Sequence, residues 1–159
     1  MANGRWVMLV FFMLACFSAA TLGAAITSRS VDTWYAELRK PALNPPNWVF
    51  GPVWTLLYFL MSVSAWLVWE KTDWSGARHA LLLFFVQLGL NVAWSALFFG
   101  LRWPGAALIE IFILLGGISA TVIAFYPFSR VAFWLMLPYA GWVAFASYLN
   151  LSIWRLNRD

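Results

Sequence analysis

Five stretches of this chain are apolar over a length that crosses a lipid bilayer, and this feature limits the fold more than any other. The stretches are residues 5–26, 47–70, 79–101, 104–125 and 130–154. About 20 mostly apolar residues cross the hydrocarbon layer as a helix. Because backbone groups in lipid must be paired within the chain, and no period of two marks barrel strands, each stretch is predicted to be helical. We predict an all-α membrane protein: a bundle of five transmembrane helices forming one domain over residues 1–159.

The composition excludes a water-soluble domain. Of the 159 residues, 64% are hydrophobic and only 10% are charged, whereas soluble domains have roughly 25% charged residues. The net charge of +4 is spread along the chain, so no basic face for nucleic acid is expected. The first stretch, with Arg5 before it and small residues at 18–20, also has features of a signal peptide. Its length favours a membrane-spanning helix.

Chemistry by ordinary side-chain catalysis or by metal ions has little support in the sequence. Cys16 and His79 are the only cysteine and histidine, so we expect neither a disulfide nor a Cys/His metal site. No catalytic triad, paired carboxylates or glycine-rich phosphate loop is present. Glu110 lies well inside the fourth stretch, where an acid is a functional candidate by default. Alternatively, its side chain reaches the membrane interface.

The long connection at residues 27–46 differs from the other, shorter connections. Residues 31–39 have the pattern of a short amphipathic helix, and Pro41, Pro45 and Pro46 favour extended backbone after it. An aromatic loop of this length between spans is either a lid over a site or a segment resting among the headgroups. Six basic residues fall on the side of this loop and the carboxyl terminus, and four on the other. This excess predicts that the loop and the carboxyl terminus are cytoplasmic.

Three of the spans carry aromatic and polar residues at helical spacing. These are Trp54, Tyr58 and Ser62; Gln87, Asn91, Trp94 and Ser95; and Tyr139, Trp142, Ala146 and Asn150. Spacings of three and four residues place each set on one helical face. Because unpaired amides are costly in hydrocarbon, these faces should point inward. They are either contacts that hold the helices together or the walls of a pocket, and three such stripes favour the pocket.

Small residues recur at a spacing of four on the third span, at Gly89, Ala93, Ala96 and Gly100. This pattern lets two helices approach closely. The partner is either another helix of the same chain or a second copy, and we predict a homodimer through this stripe.

Several spaced motifs resemble the TspO/MBR family, the tryptophan-rich sensory proteins of bacteria and the translocator proteins of mitochondria. They are Asp32-x-Trp34-Tyr35; Lys40-Pro41-x-x-Asn44-Pro45-Pro46-x-Trp48-Val49-Phe50-Gly51-Pro52-Val53-Trp54; Gln87-Leu88-x-Leu90-Asn91-x-Ala93-Trp94; and Leu137-Pro138-Tyr139-x-x-Trp142-x-Ala144-Phe145-Ala146. Leu57-Tyr58, Phe98-Phe99-Gly100, Glu110, Leu149-Asn150 and Trp154-Arg155 add to them. The resemblance covers essentially the whole chain.

The resemblance implies a five-helix bundle, often dimeric, whose pocket is closed by the first loop. It implies binding of porphyrins such as protoporphyrin IX and haem, of sterols, and of benzodiazepine-type or isoquinoline ligands, with a role in tetrapyrrole sensing, transport or stress regulation. No cofactor is required. The ligand-binding positions it implies are Trp34, Asn44, Pro45, Pro46, Trp54, Tyr58, Gln87, Asn91, Trp94, Tyr139, Trp142, Phe145, Ala146 and Asn150. Arg39 or Lys40 would pair with the propionates.

Two alternatives to a sensor or carrier stay open. The tryptophans that the family links to light-dependent porphyrin degradation match Trp54 and Trp142, so an enzyme is one alternative. A regulatory scaffold acting through a protein partner is the other. Leu43 stands where many members have tryptophan, and the sterol pattern fails because six residues separate Tyr148 from Arg155. We expect a bacterial membrane as the location.

Overall fold

The computed structural model describes residues 2–158, and within them all regular structure is helical. The helices are α1 (Ala2–Ser28), α2 (Trp34–Glu37), α3 (Asn47–Gly76), α4 (Arg78–Ser95), α5 (Pro104–Phe125) and α6 (Arg130–Leu156). A π-helical turn, Ala96–Gly100, continues α4. Five of these helices are long and apolar enough to cross a membrane. The predicted all-α, five-helix membrane bundle is therefore confirmed.

The helix ends follow local sequence signals. Pro46 has extended backbone and α3 begins at the next residue, while Pro104 occupies the first turn of α5, where its missing N–H is not needed. Ser129 caps α6 by accepting a hydrogen bond from the Ala132 N–H at 3.2 Å. These signals place the starts of α3, α5 and α6 where the sequence predicted them.

Several element boundaries differ from those predicted, and α1 is longer at both ends, at Ala2–Ser28 instead of 5–26. Helix α3 continues beyond residue 70 to Gly76, across a kink at Asp73, whose φ of 56° lies in the left-handed region. The third span ends in a π turn, in which the Leu101 N–H donates to the Ala96 carbonyl at 2.8 Å. The amphipathic helix predicted at 31–39 is reduced to Trp34–Glu37, because the following lysine-proline pair favours extended backbone.

The five long helices pack as a closed ring. Going around it, α1 contacts α3, α3 contacts α6, α6 contacts α5, α5 contacts α4, and α4 returns to α1. Small residues bring neighbours close: a Cβ at Gly23 of α1 would lie 3.3 Å from Ser95 Oγ of α4, and one at Gly105 would lie 3.0 Å from the Trp154 indole. The short connection 101–103 makes α4 and α5 antiparallel neighbours, as predicted.

The bundle is apolar outside and polar at selected points inside. Trp6, Ile109, Ile123 and Trp134 are each more than half exposed, as expected for side chains that face acyl chains. Gln87, Asn91 and Asn150, by contrast, are at most 4% exposed. The polar stripes therefore face inward.

The two ends of the bundle differ in how tightly they are filled. At the end that holds the start of α1 and the α3–α4 connection, Phe12, Met61, Phe84, Phe125 and Met136 form a solid core with no exposed surface. At the other end, beneath the long loop, the helices enclose a cavity. The solid half fixes the helix positions that shape this cavity.

Candidate functional site

A cavity of about 580 Å³ lies inside the bundle at the end covered by residues 27–46. Its walls are the carboxyl-terminal parts of α1, α4 and α6 and the first three turns of α3. The volume falls in the range of about 300–1,000 Å³ usual for small-molecule sites. Aromatic side chains dominate the walls: Phe17, Tyr35, Phe50, Trp54, Tyr58, Trp94, Phe98, Phe99 and Trp142.

A hydrogen-bonded chain of three buried side chains closes the floor of the cavity. The Tyr58 hydroxyl donates to Asn91 Oδ1 at 2.7 Å, and Asn91 Nδ2 donates to the Tyr139 hydroxyl at 2.9 Å. The Trp54 ring lies against both tyrosines, with ring centroids 5.7 Å and 6.2 Å apart. Because these hydrogen bonds join α3, α4 and α6, they fix the positions of the three helices relative to one another along the bundle axis.

A second polar chain orients the indole of Trp94. Its Nε1 donates to Asn150 Oδ1 at 3.0 Å, and Asn150 Nδ2 donates to the Pro104 carbonyl at 2.9 Å. Pro104 is the first residue of α5, so its carbonyl lies in the first turn of that helix, where Asn150 of α6 can reach it. The Trp94 ring stacks on Phe98, with centroids 5.2 Å apart. The indole face is thereby held against the cavity.

The loop over the cavity is fastened at several points, so it has the structure of a lid. Ser30 Oγ donates to the Phe99 carbonyl at 2.8 Å, and the Tyr35 hydroxyl donates to Asn44 Oδ1 at 3.0 Å. Asn157, just beyond α6, accepts from the Arg39 N–H at 3.0 Å and donates to the Arg39 carbonyl at 2.9 Å. The lid is thus bonded both to the π turn and to the carboxyl-terminal segment.

The side of the cavity between α1 and α3 is less closed than the lid. Thr21 and Ala24 of α1 and Gly51 and Thr55 of α3 line the cavity and are exposed. The two threonine hydroxyls donate to carbonyls of their own helices, Thr21 to Phe17 and Thr55 to Gly51, so neither bridges the gap. A Cβ at Gly51 would meet no atom within 4 Å. We interpret this side as the opening of the cavity between α1 and α3.

The charges near the cavity differ from the expected pattern. Asp32 lines the cavity on the lid side, whereas Arg39 and Lys40 do not line it. Lys40 Nζ instead donates to the carbonyls of Ala36 and Leu38 and lies 4.7 Å from the centre of the Tyr35 ring. Burial raises the pKa of the Tyr35 hydroxyl above its usual 10.0, and the hydrogen bond to Asn44 partly opposes this. Asp32 is thus the only acidic or basic residue among the described residues that line the cavity.

Half of the predicted ligand-binding residues lie on the cavity wall and half do not. Those on the wall are Trp54, Tyr58, Asn91, Trp94, Trp142, Ala146 and Asn150. Those outside it are Trp34, Asn44, Pro45, Pro46, Gln87, Tyr139 and Phe145. The structure thus brings together positions predicted from α3, α4 and α6.

The positions outside the wall have identifiable structural neighbours. Trp34 packs edge-on against Phe98, and Asn44 holds the lid through Tyr35. Tyr139 is fully buried behind Trp54, and Phe145 packs beside Trp142. These four residues therefore lie behind the wall or in the lid, and their predicted contacts with a ligand stay predictions.

The wall contributed by α1 was missed by the sequence reasoning. Phe17, Ala20, Gly23, Ala24 and Thr27 line the cavity. Alanine, glycine and threonine in a hydrophobic span resemble ordinary packing residues, so they gave no signal. Phe98 and Phe99 were also missed as lining residues, and both face the cavity because the π turn inserts one extra residue there.

Four side chains have buried polar atoms without hydrogen-bond partners among the described residues, including Trp69 and Thr72 near the end of α3, and the other two were singled out in the sequence. These two are Glu110, through both carboxyl oxygens, and Gln87, through its amide. Gln87 faces α5, where a Cβ at Gly117 would lie 3.5 Å from its own Cβ. Glu110 is 8% exposed, so it does not reach the interface. Neither residue lines the cavity.

The small-residue stripe of α4 divides between two environments. A Cβ at Gly100 would lie 3.3 Å from Ile26 of α1, so this end of the stripe packs within the chain. Gly89 is exposed, with nothing within 4 Å of an added Cβ. The Gly89 end is therefore open to a second copy.

Comparison with known proteins assigns the chain to a family. The TspO/MBR family matches residues 12–155. The tryptophan-rich protein TspO of Archaeoglobus fulgidus is 46% identical over 149 residues, which cover 94% of this chain and 96% of that protein. The translocator protein of Homo sapiens is 40% identical over 96% of this chain and 91% of its own length. The tryptophan-rich sensory protein of Cereibacter sphaeroides is 37% identical over 98% and 94%.

Proposed function

The chain belongs to the TspO/MBR family and is an integral, multi-pass membrane protein of the sensory and translocator type; from this premise we propose that its cavity binds porphyrins, such as protoporphyrin IX and haem, for tetrapyrrole sensing or transport. The observation that carries the proposal is an aromatic cavity of about 580 Å³ within the membrane-spanning helices. A flat apolar macrocycle matches such walls, because indole and phenol rings stack on extended π-systems.

Three tryptophans on separate helices provide the stacking surfaces. Trp54 of α3, Trp94 of α4 and Trp142 of α6 all line the cavity. Trp94 is fixed by Asn150, and Trp54 is held against Tyr58 and Tyr139. Because these rings are already ordered, binding costs little side-chain entropy.

Two amides supply polar contacts to the ligand. The hydrogen bonds of Asn91 to Tyr139 and of Asn150 to Pro104 each use one of the two N–H groups of the amide. The second N–H in each case is a donor for an oxygen of the ligand, such as a carbonyl. Sterols and benzodiazepine-type or isoquinoline compounds are further candidates for the same apolar space, as the family resemblance implies.

The propionates of a bound porphyrin would avoid Asp32. This carboxylate lines the lid side of the cavity, and like charges in a partly apolar site repel strongly. We therefore place the propionates away from Asp32, toward the opening between α1 and α3.

We also propose an orientation of the protein in the membrane and a homodimer. The excess of basic residues at the lid end favours a cytoplasmic lid and carboxyl terminus. Homodimers would form through the open Gly89 end of the α4 stripe. Labelling of single cysteines placed at the two ends of the bundle tests the orientation, and cross-linking at Gly89 tests the dimer.

Titration of purified protein with protoporphyrin IX, followed by porphyrin absorbance, tests the binding site. Trp142→Ala and Asn91→Ala should weaken binding, because they remove a stacking surface and a polar anchor. Trp134→Ala is the matched control, since Trp134 lies on the same helix and is 66% exposed. Unchanged affinity in the first two variants, or equal losses in all three, would contradict the site.

A light-dependent porphyrin-degrading enzyme is a second candidate, and the position of two tryptophans favours it. Trp54 and Trp142 both line the cavity, so a bound porphyrin excited by light would have an indole electron donor on two sides, with dioxygen as the oxidant. Protein-dependent bleaching of the porphyrin that is abolished by Trp142→Phe would support this activity. Bleaching unaffected by that change would exclude it. If cavity variants leave the cellular phenotype intact, the scaffold alternative is favoured instead.

A further inference from the structure

A second recess lies outside the aromatic cavity, where α1 and the π turn end side by side. We call it the arginine groove. It has a volume of about 540 Å³, and its walls include Ile26, Arg29, Ser30, Phe99, Gly100 and Arg102. From it we infer that the chain has a binding site for the phosphate of an anionic phospholipid, formed by Arg29 and Arg102.

The groove is held in shape by contacts between its two walls. Ser30 Oγ donates to the Phe99 carbonyl at 2.8 Å, and a Cβ at Gly100 would lie only 3.3 Å from Ile26 Cγ2. Because the walls are bonded and close-packed, the two arginines start from fixed backbone positions. A preformed site loses less entropy when it binds its ligand.

The backbone at Arg102 is unusual. Its φ of 55° lies in the left-handed region, which a residue other than glycine seldom adopts. The π turn immediately before it changes the direction in which the chain leaves α4. The chain therefore has an arginine at the rim of the groove, at a position whose backbone conformation favours glycine. Strained backbone of this kind is often found where a side chain is held for function.

The charges of the groove are available to a ligand. Arg29 and Arg102 are both exposed, and the one ion pair within residues 2–158, Arg5 with Glu70, lies at the opposite end of the bundle. The guanidinium group presents a planar fork of N–H donors that matches a phosphate in a bidentate arrangement. Two guanidinium groups beside one recess favour the binding of one phosphate group by both arginines.

The position of the groove selects a lipid over a soluble anion. The spans end at Ser28 and Gly100, so Arg29 and Arg102 lie one and two residues beyond the hydrocarbon segments, at headgroup level. Ile26 and Leu101 add apolar walls beside the two arginines. Such walls suit the glycerol and first acyl carbons of a phospholipid, whereas free phosphate gains nothing from them.

Native mass spectrometry of the full chain in detergent tests the site, with phosphatidylglycerol and phosphatidylcholine as probes. Wild-type protein should bind phosphatidylglycerol about tenfold more tightly than phosphatidylcholine, because both lipids carry an anionic phosphate but the choline ammonium of phosphatidylcholine is repelled by the two arginines. Arg29→Gln/Arg102→Gln should lose this preference. Arg29→Lys/Arg102→Lys should retain only part of it, because lysine keeps the charge but not the fork.

The matched control also removes two positive charges, but outside the arginine groove. Arg78→Gln/Arg155→Gln changes one exposed arginine at each end of the bundle, neither of them in the groove, and should keep the preference. Thermal unfolding followed by circular dichroism checks that all variants fold. Equal losses in the control and in the groove variant would overturn the proposal, since general charge would then explain the binding. Displacement of phosphatidylglycerol by inorganic phosphate would overturn the assignment to lipid.

Discussion

The hydroxyl of Tyr58 on α3 donates a hydrogen bond of 2.7 Å to Oδ1 of Asn91 on α4, at the floor of the aromatic cavity. The same amide donates to the Tyr139 hydroxyl at 2.9 Å. One side chain therefore satisfies two tyrosines from two other helices. The cavity above it and the packing below it both depend on this contact.

Asn91→Leu should destabilise the bundle by about 1–2 kcal/mol, because it leaves the Tyr58 donor without a partner in an apolar interior. Unfolding in mixed micelles measures the change. Combining it with Tyr58→Phe should cost less than the sum of the single changes, since the two residues share one bond. Additive effects would show that the bond contributes nothing to stability.

Gly51→Phe should slow both association and dissociation of protoporphyrin IX by the same factor and leave the affinity unchanged. The reason is that Gly51 lines the opening between α1 and α3 and has free space beside it. Stopped-flow fluorescence gives the two rate constants. Gly141→Phe, at an exposed glycine of α6 with equal space, is the control. If neither rate changes while binding persists, the ligand enters by another route.

Asp32→Asn should tighten binding of protoporphyrin IX by about two- to fivefold, because it removes a charge of the same sign as the propionates from the cavity lining. Its dimethyl ester, which carries no propionate charge, should bind both proteins equally well. The gain should shrink as salt is added. A similar gain for the ester would mean that shape, rather than charge, explains the effect.

Glu110→Gln should leave the stability of the bundle unchanged within about 0.5 kcal/mol, or raise it. Both carboxyl oxygens are buried and have no hydrogen-bond partner among the described residues, and an ionised group in that position is costly. Glutamine keeps the shape without the charge. A clear loss of stability at neutral pH would show that the carboxylate has a partner in the membrane.

The attachment of the lid should weaken at alkaline pH. The pKa of Tyr35 is raised above 10.0 by burial, so the folded lid holds the phenol proton more tightly than the unfolded segment does. Its contribution to stability is therefore complete below pH 10.0 and is lost as the pH rises through the higher folded pKa. Limited proteolysis of residues 27–46 at neutral and alkaline pH measures this. Tyr35→Phe should lack the alkaline step, and a step of equal size in that variant would assign it to another group.

The spans and their inward faces were predictable because single physical rules govern them. Hydrocarbon thickness sets the helix lengths, and the cost of an unpaired amide directs Asn91 and Asn150 inward. The length and aromatic content of residues 27–46 left a lid and a loop among the headgroups as alternatives, and the family resemblance, confirmed by the match over residues 12–155, favoured the lid. Periodicity alone did not specify which inward residues line the cavity and which pack against another side chain.

Gln87 and Asn91 show this limit. They lie one turn apart on the same face of α4 and are both buried, yet only Asn91 lines the cavity. The difference depends on where α5 approaches, at Gly117, and this is a property of the assembled bundle. Likewise, the π turn that brings Phe98 and Phe99 to the wall has no signature in the sequence.

The most direct test of the central claim is to fill the cavity and measure porphyrin affinity. Ala146 lines the cavity, while Ala144, two residues away on the same helix, is exposed toward lipid. In an absorbance titration with protoporphyrin IX, Ala146→Phe should abolish or strongly weaken binding, and Ala144→Phe should bind like the wild-type protein. Undiminished binding in Ala146→Phe would contradict a ligand site inside the bundle.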